Sequence, residues 1–113
     1  SETPWTSGES VIVQSSQNRL VSFDRKSGNI RWVRDMPRFE EEDKETPLVL
    51  YGPVMAGGRL FLTASDSTVF EIDPVTGEDL FQWKADEEIA GAPIVAGETL
   101  YLLGEDGRLM AYR

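Results

Sequence analysis

Three stretches of this chain align with one another in register and without a gap. This internal repeat constrains the fold more tightly than any single residue does. Each copy starts at a proline (Pro4, Pro53, Pro93), has a glycine four residues on (Gly8, Gly57, Gly97), and opens an apolar triplet at the seventh (Val11, Leu60, Leu100). Polar pairs follow at offsets thirteen and fourteen: Gln17-Asn18, Asp66-Ser67 and Asp106-Gly107. Apolar pairs stand at sixteen and seventeen: Leu20-Val21, Val69-Phe70 and Leu109-Met110. The copies are spaced 49 and 40 residues apart. A period near forty belongs to propeller blades or helical solenoids.

Local chemistry separates those two. A helical unit needs ten or more residues with apolar positions three and four apart, whereas here turn residues interrupt the chain every six to ten positions. The second copy predicts strands over Gly52–Ala56, Arg59–Ala64, Thr68–Asp73 and Asp79–Lys84. Its second and third strands are almost continuously apolar, the pattern of a sheet covered on both faces. The expected fold is all-β: a partial β-propeller of four-stranded antiparallel blades. We expect blades over 4–36 and 51–86, an insertion over 37–47, and a third blade over 90–113 that stops one strand short. That is about two and three-quarter blades of a larger ring, which makes the chain the C-terminal arc of a longer propeller.

The turn between the third and fourth strands carries a repeated motif: Asp24, Gly28 and Trp32 in the first copy, Asp73, Gly77 and Phe81 in the second. An aspartate heading a turn accepts backbone N–H groups two and three residues on, and the glycine supplies a positive φ. The aromatic is expected to return and pack on the neighbouring unit. This spacing resembles the tryptophan-docking motif of propellers related to pyrroloquinoline-quinone proteins. Trp5, Trp32 and Trp83 are assigned to packing between blades, since aromatic side chains bring large areas to sheet contacts. Offset eighteen holds Ser22, Glu71 and Ala111, and the sequence offers no reason for the glutamate.

Charge narrows the partners. Eleven basic and twenty acidic residues give a net charge of −9, so nucleic acid, which requires clustered positive charge, is not an expected partner. No apolar run approaches the length of a membrane span. With no histidine and no cysteine, the chain itself cannot build a Ser-His-Asp or Cys-His arrangement, a disulfide or a thiolate metal site. Gly57-Gly58 lacks the Gly-Lys-Ser/Thr that would follow in a phosphate loop. No catalytic, cofactor-binding or metal-binding residue is assigned.

Much of the negative charge lies in the insertion, where Glu40–Glu45 holds five acids and one lysine. One reading is a solvated, self-repelling loop. The functional reading is a docking element for a basic partner, with Glu40, Glu41, Glu42 and Asp43 supplying charge and Phe39 an apolar anchor. A calcium loop is disfavoured, because the required Asp/Asn/Gly spacing is absent.

The run from Arg31 to Glu40, the segment Tyr51-Gly52-Pro53-Val54-Met55-Ala56-Gly57-Gly58-Arg59-Leu60 and the ending from Leu100 to Arg113 resemble the C-terminal blades of the BamB family of outer-membrane assembly lipoproteins. The similarity is greatest to alphaproteobacterial forms with an acidic insertion after Pro-Arg-Phe. The resemblance implies an eight-bladed, lipid-anchored scaffold on the periplasmic face of the outer membrane. It would be non-enzymatic, without cofactor, and would bind the central β-barrel insertase and unfolded outer-membrane proteins. The alternatives are a piece of a quinone-dependent dehydrogenase and a generic extracytoplasmic binding propeller. Exposed end faces lead us to expect self-association of the chain alone.

Overall fold

A computed structural model of the chain describes residues 5–7 and 9–112. Pro4, Gly8, Arg113 and the side chain of Trp5 lie outside the described residues. The described chain forms eleven strands in three antiparallel sheets. The first contains β1 (Trp5–Ser7), β2 (Ser10–Gln14), β3 (Arg19–Asp24) and β4 (Ile30–Asp35). The second contains β5 (Leu50–Ala56), β6 (Arg59–Ala64), β7 (Thr68–Ile72) and β8 (Asp79–Lys84). The third contains β9 (Ile94–Ala96), β10 (Thr99–Leu103) and β11 (Leu109–Tyr112). Each sheet is a meander, every strand pairing with the next in sequence. The expected second-copy strands are present, with β5 starting two residues earlier and β7 ending one residue sooner.

The near-continuous apolar character of β6 and β7 has a direct cause. All five residues of β7 are buried, as are five of six in β6, because the middle sheet is covered on both faces. Leu60, Leu62, Phe70 and Ile72 point toward the first sheet and pack with Ile12, Leu20, Met36, Leu48 and Leu50. Phe61 and Val69 point the other way and pack with Ile89, Leu100 and Leu102. Alternation along a strand sends neighbouring residues to opposite faces, so one strand serves two cores. Each fully buried Leu, Ile or Phe contributes about 1.5–3 kcal/mol of transfer free energy, which makes the two seams the main stabilising features.

The repeat also holds at the level of backbone conformation. Asn18, Ser67 and Gly107 occupy the same repeat position and have φ of 58°, 72° and 88°. The chain thus turns in the left-handed region at the same place in all three units, twice without glycine.

Candidate protein-docking face

The strand-three-to-four turns of the first two sheets share one plan, with Asp24 accepting one more backbone N–H than Asp73. Asp24 Oδ1 accepts the N–H groups of Lys26 (2.8 Å) and Ser27 (3.0 Å), and Gly28 N–H donates to Asp24 O at 2.8 Å. Asp73 Oδ1 accepts Val75 N–H at 2.8 Å, and Gly77 N–H donates to Asp73 O at 2.8 Å. The Ser27 and Lys26 N–H groups, helped by Arg31, hold the Asp24 carboxyl below its ordinary value.

From β4, Trp32 crosses to the second sheet and lies over this turn. Its indole N–H donates to Pro74 O at 2.9 Å, and a Cβ added at Gly77 would sit 2.6 Å from its ring. Arg34, two residues on, donates to Gly77 O at 3.0 Å and Asp79 Oδ2 at 2.9 Å. Asp24 and Gly28 thus shape one turn, Asp73 and Gly77 the other, and Trp32 joins sheet one to sheet two. Phe81, given the same role by sequence, does not reproduce it. It is 61% exposed, because among the described residues the third sheet ends at Tyr112, with no equivalent turn to receive the ring.

Trp83 instead spans the second seam. Its indole N–H donates to Glu71 Oε2 at 2.6 Å, and its ring lies 4.7 Å from that of Tyr112. Glu71 also accepts Arg59 Nη1 at 2.7 Å. The unexplained glutamate at offset eighteen is therefore a buried carboxylate with two donors, as such burial requires. Ser22, its counterpart in the first sheet, is fully buried with its hydroxyl oxygen unpartnered.

The insertion is folded onto the protein. Phe39 pairs with Pro47 in an antiparallel bridge, Glu40 N–H donates to Thr46 O at 2.9 Å, and Leu48 N–H donates to Arg38 O at 2.8 Å. The Asn18 amide donates to both the entrance, Pro37 O at 2.9 Å, and the exit, Leu48 O at 2.8 Å. The flank is tied to the β6–β7 turn: Ser65 Oγ donates to Glu40 Oε2 at 3.1 Å and Glu41 N–H to Asp66 Oδ2 at 3.2 Å. The tip is an Asp43 turn, whose carboxylate accepts the Thr46 hydroxyl at 2.6 Å and Glu45 N–H at 3.0 Å. The Thr46 and Glu45 bonds keep the Asp43 carboxyl below its ordinary value.

The five sequence-assigned docking residues therefore divide. Asp43 and Glu40 hold the hairpin's shape, and Glu41 lies 4.0 Å from Lys84. Phe39, 47% exposed, and Glu42 face solvent. Glu42 lines a hollow of about 210 Å³ with Glu40, Ser65, Asp66, Ser67, Lys84 and Glu88, whereas Phe39 lines a separate hollow with Pro37, Glu41, Lys44 and Leu48. Sequence reading missed Asp66, in the second unit, and Glu88, in the connection after it, which reach the insertion only in three dimensions. Four carboxylates around one ammonium give the hollow a negative potential suited to a lysine or arginine. No group of three or more acids is arranged to hold a metal among the described residues.

Three meander sheets stacked face to face, with a ring from one outer strand docked on the next sheet's turn, define a β-propeller segment. The family described as outer membrane protein assembly factor BamB matches residues 34–113. The chain belongs to this family. It is 32% identical over 104 residues to the outer membrane protein assembly factor BamB of Alkalilimnicola ehrlichii, covering 91% of this chain and 25% of that protein. The crystal structure of BamB from Moraxella catarrhalis superimposes with a TM-score of 0.74 at 20% identity, over 96% of this chain and 30% of that one. A europium-containing methanol dehydrogenase gives a TM-score of 0.70 at 27% identity, over 96% of this chain and 22% of the enzyme. The chain thus spans about a quarter of the length of the curated relative it matches.

Proposed function

We propose that this chain is part of a non-enzymatic protein-interaction scaffold that assists outer-membrane protein assembly at the periplasmic face of the outer membrane. Its partners on this reading are the central β-barrel insertase and unfolded outer-membrane proteins. Family membership supports the scaffold role, and the ordered insertion supplies the site. A flexible acidic loop loses conformational entropy on binding, whereas a hairpin fixed at Asn18, Ser65 and Asp66 presents Phe39 and Glu42 in a set geometry. An exposed apolar anchor on the same hairpin as a carboxylate-lined hollow suits a basic surface with a shallow hydrophobic depression.

The test is a pull-down of the full-length protein from envelope extracts, alone and with Phe39→Ala/Glu42→Lys. Recovery of the insertase by the parent and its loss in the variant supports the proposal. Equal recovery by both removes the insertion from the interface, and reproducible absence with the parent removes the scaffold reading.

The methanol dehydrogenase likeness favours a second reading, a piece of a quinone-dependent enzyme. The first strands β1, β5 and β9 lie side by side where the fan of sheets converges. Their sequences, Trp5–Ser7, Leu50–Ala56 and Ile94–Ala96, hold no charged residue. They thus offer no carboxylate to calcium and no cation to an anionic quinone. Saturable binding of the quinone with calcium, accompanied by dye reduction, would establish the enzyme reading instead.

A further inference from the structure

Offset ten of the repeat is held by Gln14 in the first unit and Thr63 in the second. Both side chains reach across a seam and donate to a backbone carbonyl just ahead of the next copy's proline. Thr63 Oγ1 donates to Gly91 O at 2.8 Å, and Gln14 Nε2 to Leu50 O at 3.4 Å. The structural task at this position needs one donor, and the threonine performs it with no unpartnered atom left over. Glutamine brings an acceptor as well. Gln14 is only 7% exposed, yet its Oε1 has no hydrogen-bond partner among the described residues. Because Leu50 O requires a donor, the bond to it turns Nε2 that way and leaves the oxygen as the free end of the amide. A buried acceptor without a donor lowers stability, so its presence calls for a reason.

Gln14 borders a hollow of about 280 Å³ at the first seam. Ser15, Ser16 and Asn18 share its wall on the first sheet, and Leu48, Val49 and Leu50 form the facing wall. Both walls belong to the two four-stranded sheets or to the connection between them, so the hollow is a feature of an internal seam. The Asn18 amide is already committed to Pro37 O and Leu48 O. No side chain lining the hollow is charged and none is aromatic. A carboxylate or an ammonium group would enter without a counter-ion, and a sugar ring would find no aromatic face. The chemistry that fits is an uncharged N–H donor whose own oxygen can accept from the Ser15 or Ser16 hydroxyl. A primary carboxamide has both.

We propose that this hollow is a subsite for the side-chain carboxamide of an asparagine or glutamine in a bound polypeptide, its N–H donating to Gln14 Oε1. The proposal does not rest on the docking role of Phe39 and Glu42.

Saturation-transfer NMR on the full-length protein tests it, with N-acetyl-glutamine methylamide as the probe and the corresponding glutamate and methionine compounds as comparisons. The glutamine probe should saturate at about 1–10 mM, and in protein labelled with 15N-glutamine it should shift the Gln14 side-chain NH2 signal. The comparison compounds should bind at least about 10-fold more weakly, because neither supplies a side-chain N–H to the waiting oxygen. Gln14→Thr, which installs the second unit's residue, and Gln14→Leu should each remove the saturable response, with thermal melts confirming that they fold. The preference of the parent among the three compounds decides the matter even where a variant unfolds. No saturation by the glutamine probe up to about 50 mM, equal response to all three compounds, or an unchanged response in a folded variant overturns the proposal.

Discussion

Gly77→Ala and Gly28→Ala are chemically the same change at equivalent turns, yet they separate backbone strain from the Trp32 dock. The glycines have φ of 80° and 77°, so an alanine at either costs about 1–2 kcal/mol for a left-handed residue with a Cβ. At Gly28 nothing lies within 4 Å of the added carbon, so that is the whole cost. At Gly77 the carbon would meet Trp32 ring atoms at 2.6 and 2.7 Å. Ordinary contact is about 3.5–4.0 Å, so the ring must withdraw by about 1 Å. Withdrawal breaks the indole bond to Pro74 O, about 0.5–1.5 kcal/mol. It also gives up part of the roughly 3–5 kcal/mol that a large aromatic contributes by packing. Gly77→Ala should therefore cost about 2–3 kcal/mol more than Gly28→Ala. Urea unfolding of both variants at one protein concentration measures this, the extra loss moving the midpoint by about 1–2 M at a typical slope for a small domain. In a Trp32→Ala background the difference should shrink toward zero, because the two residues share one contact. Equal costs at the two glycines in the parent background would falsify the docking argument.

Asn18→Gly keeps the left-handed turn but removes both bonds that clamp the insertion; it should cost about 1–3 kcal/mol and speed amide exchange over residues 38–48 ahead of global unfolding. Unchanged exchange there would show that the hairpin does not depend on the clamp. Ser22→Ala removes a fully buried, unpartnered hydroxyl and should be neutral or stabilising by up to about 1 kcal/mol, whereas a loss of more than that in thermal melts would mean a hidden partner. Burial alone would raise the Asp66 carboxyl, but the Thr68 hydroxyl, the Glu41 and Thr68 N–H groups and Lys84 outweigh it and lower it. Its contribution to stability is therefore complete above the unfolded value of about 3.9 and is lost as pH falls through the lower folded one. Melts between about pH 2 and 6 should show this loss, and Asp66→Asn should flatten the slope; a parallel curve for that variant contradicts it.

Strand positions and turn chemistry were legible in the sequence because they are local. Alternation, glycine placement and an aspartate two residues ahead of its N–H donor all fall within one short window. The Trp32 dock was legible in kind, since the Asp-Gly-Trp spacing implies a ring returning to a neighbour. The partner and the close approach at Gly77 appear only when the seam is built. Glu71 was opaque because its donors, Arg59 and Trp83, each lie twelve residues away on different strands. The insertion was opaque for a similar reason. Its composition suggests a self-repelling loop, but Asn18, nineteen and thirty residues from the carbonyls it holds, closes the hairpin. Phe81 shows the converse, a motif residue whose role depends on a surface that the described residues do not supply.

The scaffold proposal meets its most direct test in site-specific photo-crosslinking in cells. A crosslinking amino acid is placed at Phe39 in the full-length protein and, for comparison, at Val75, which is 76% exposed at the opposite end of the sheets. The account predicts an adduct with the periplasmic part of the insertase from position 39, weakened by Glu42→Lys, and little or none from position 75. Adducts of equal yield from both positions, or none from position 39 where the insertase is captured through other surfaces, would contradict it.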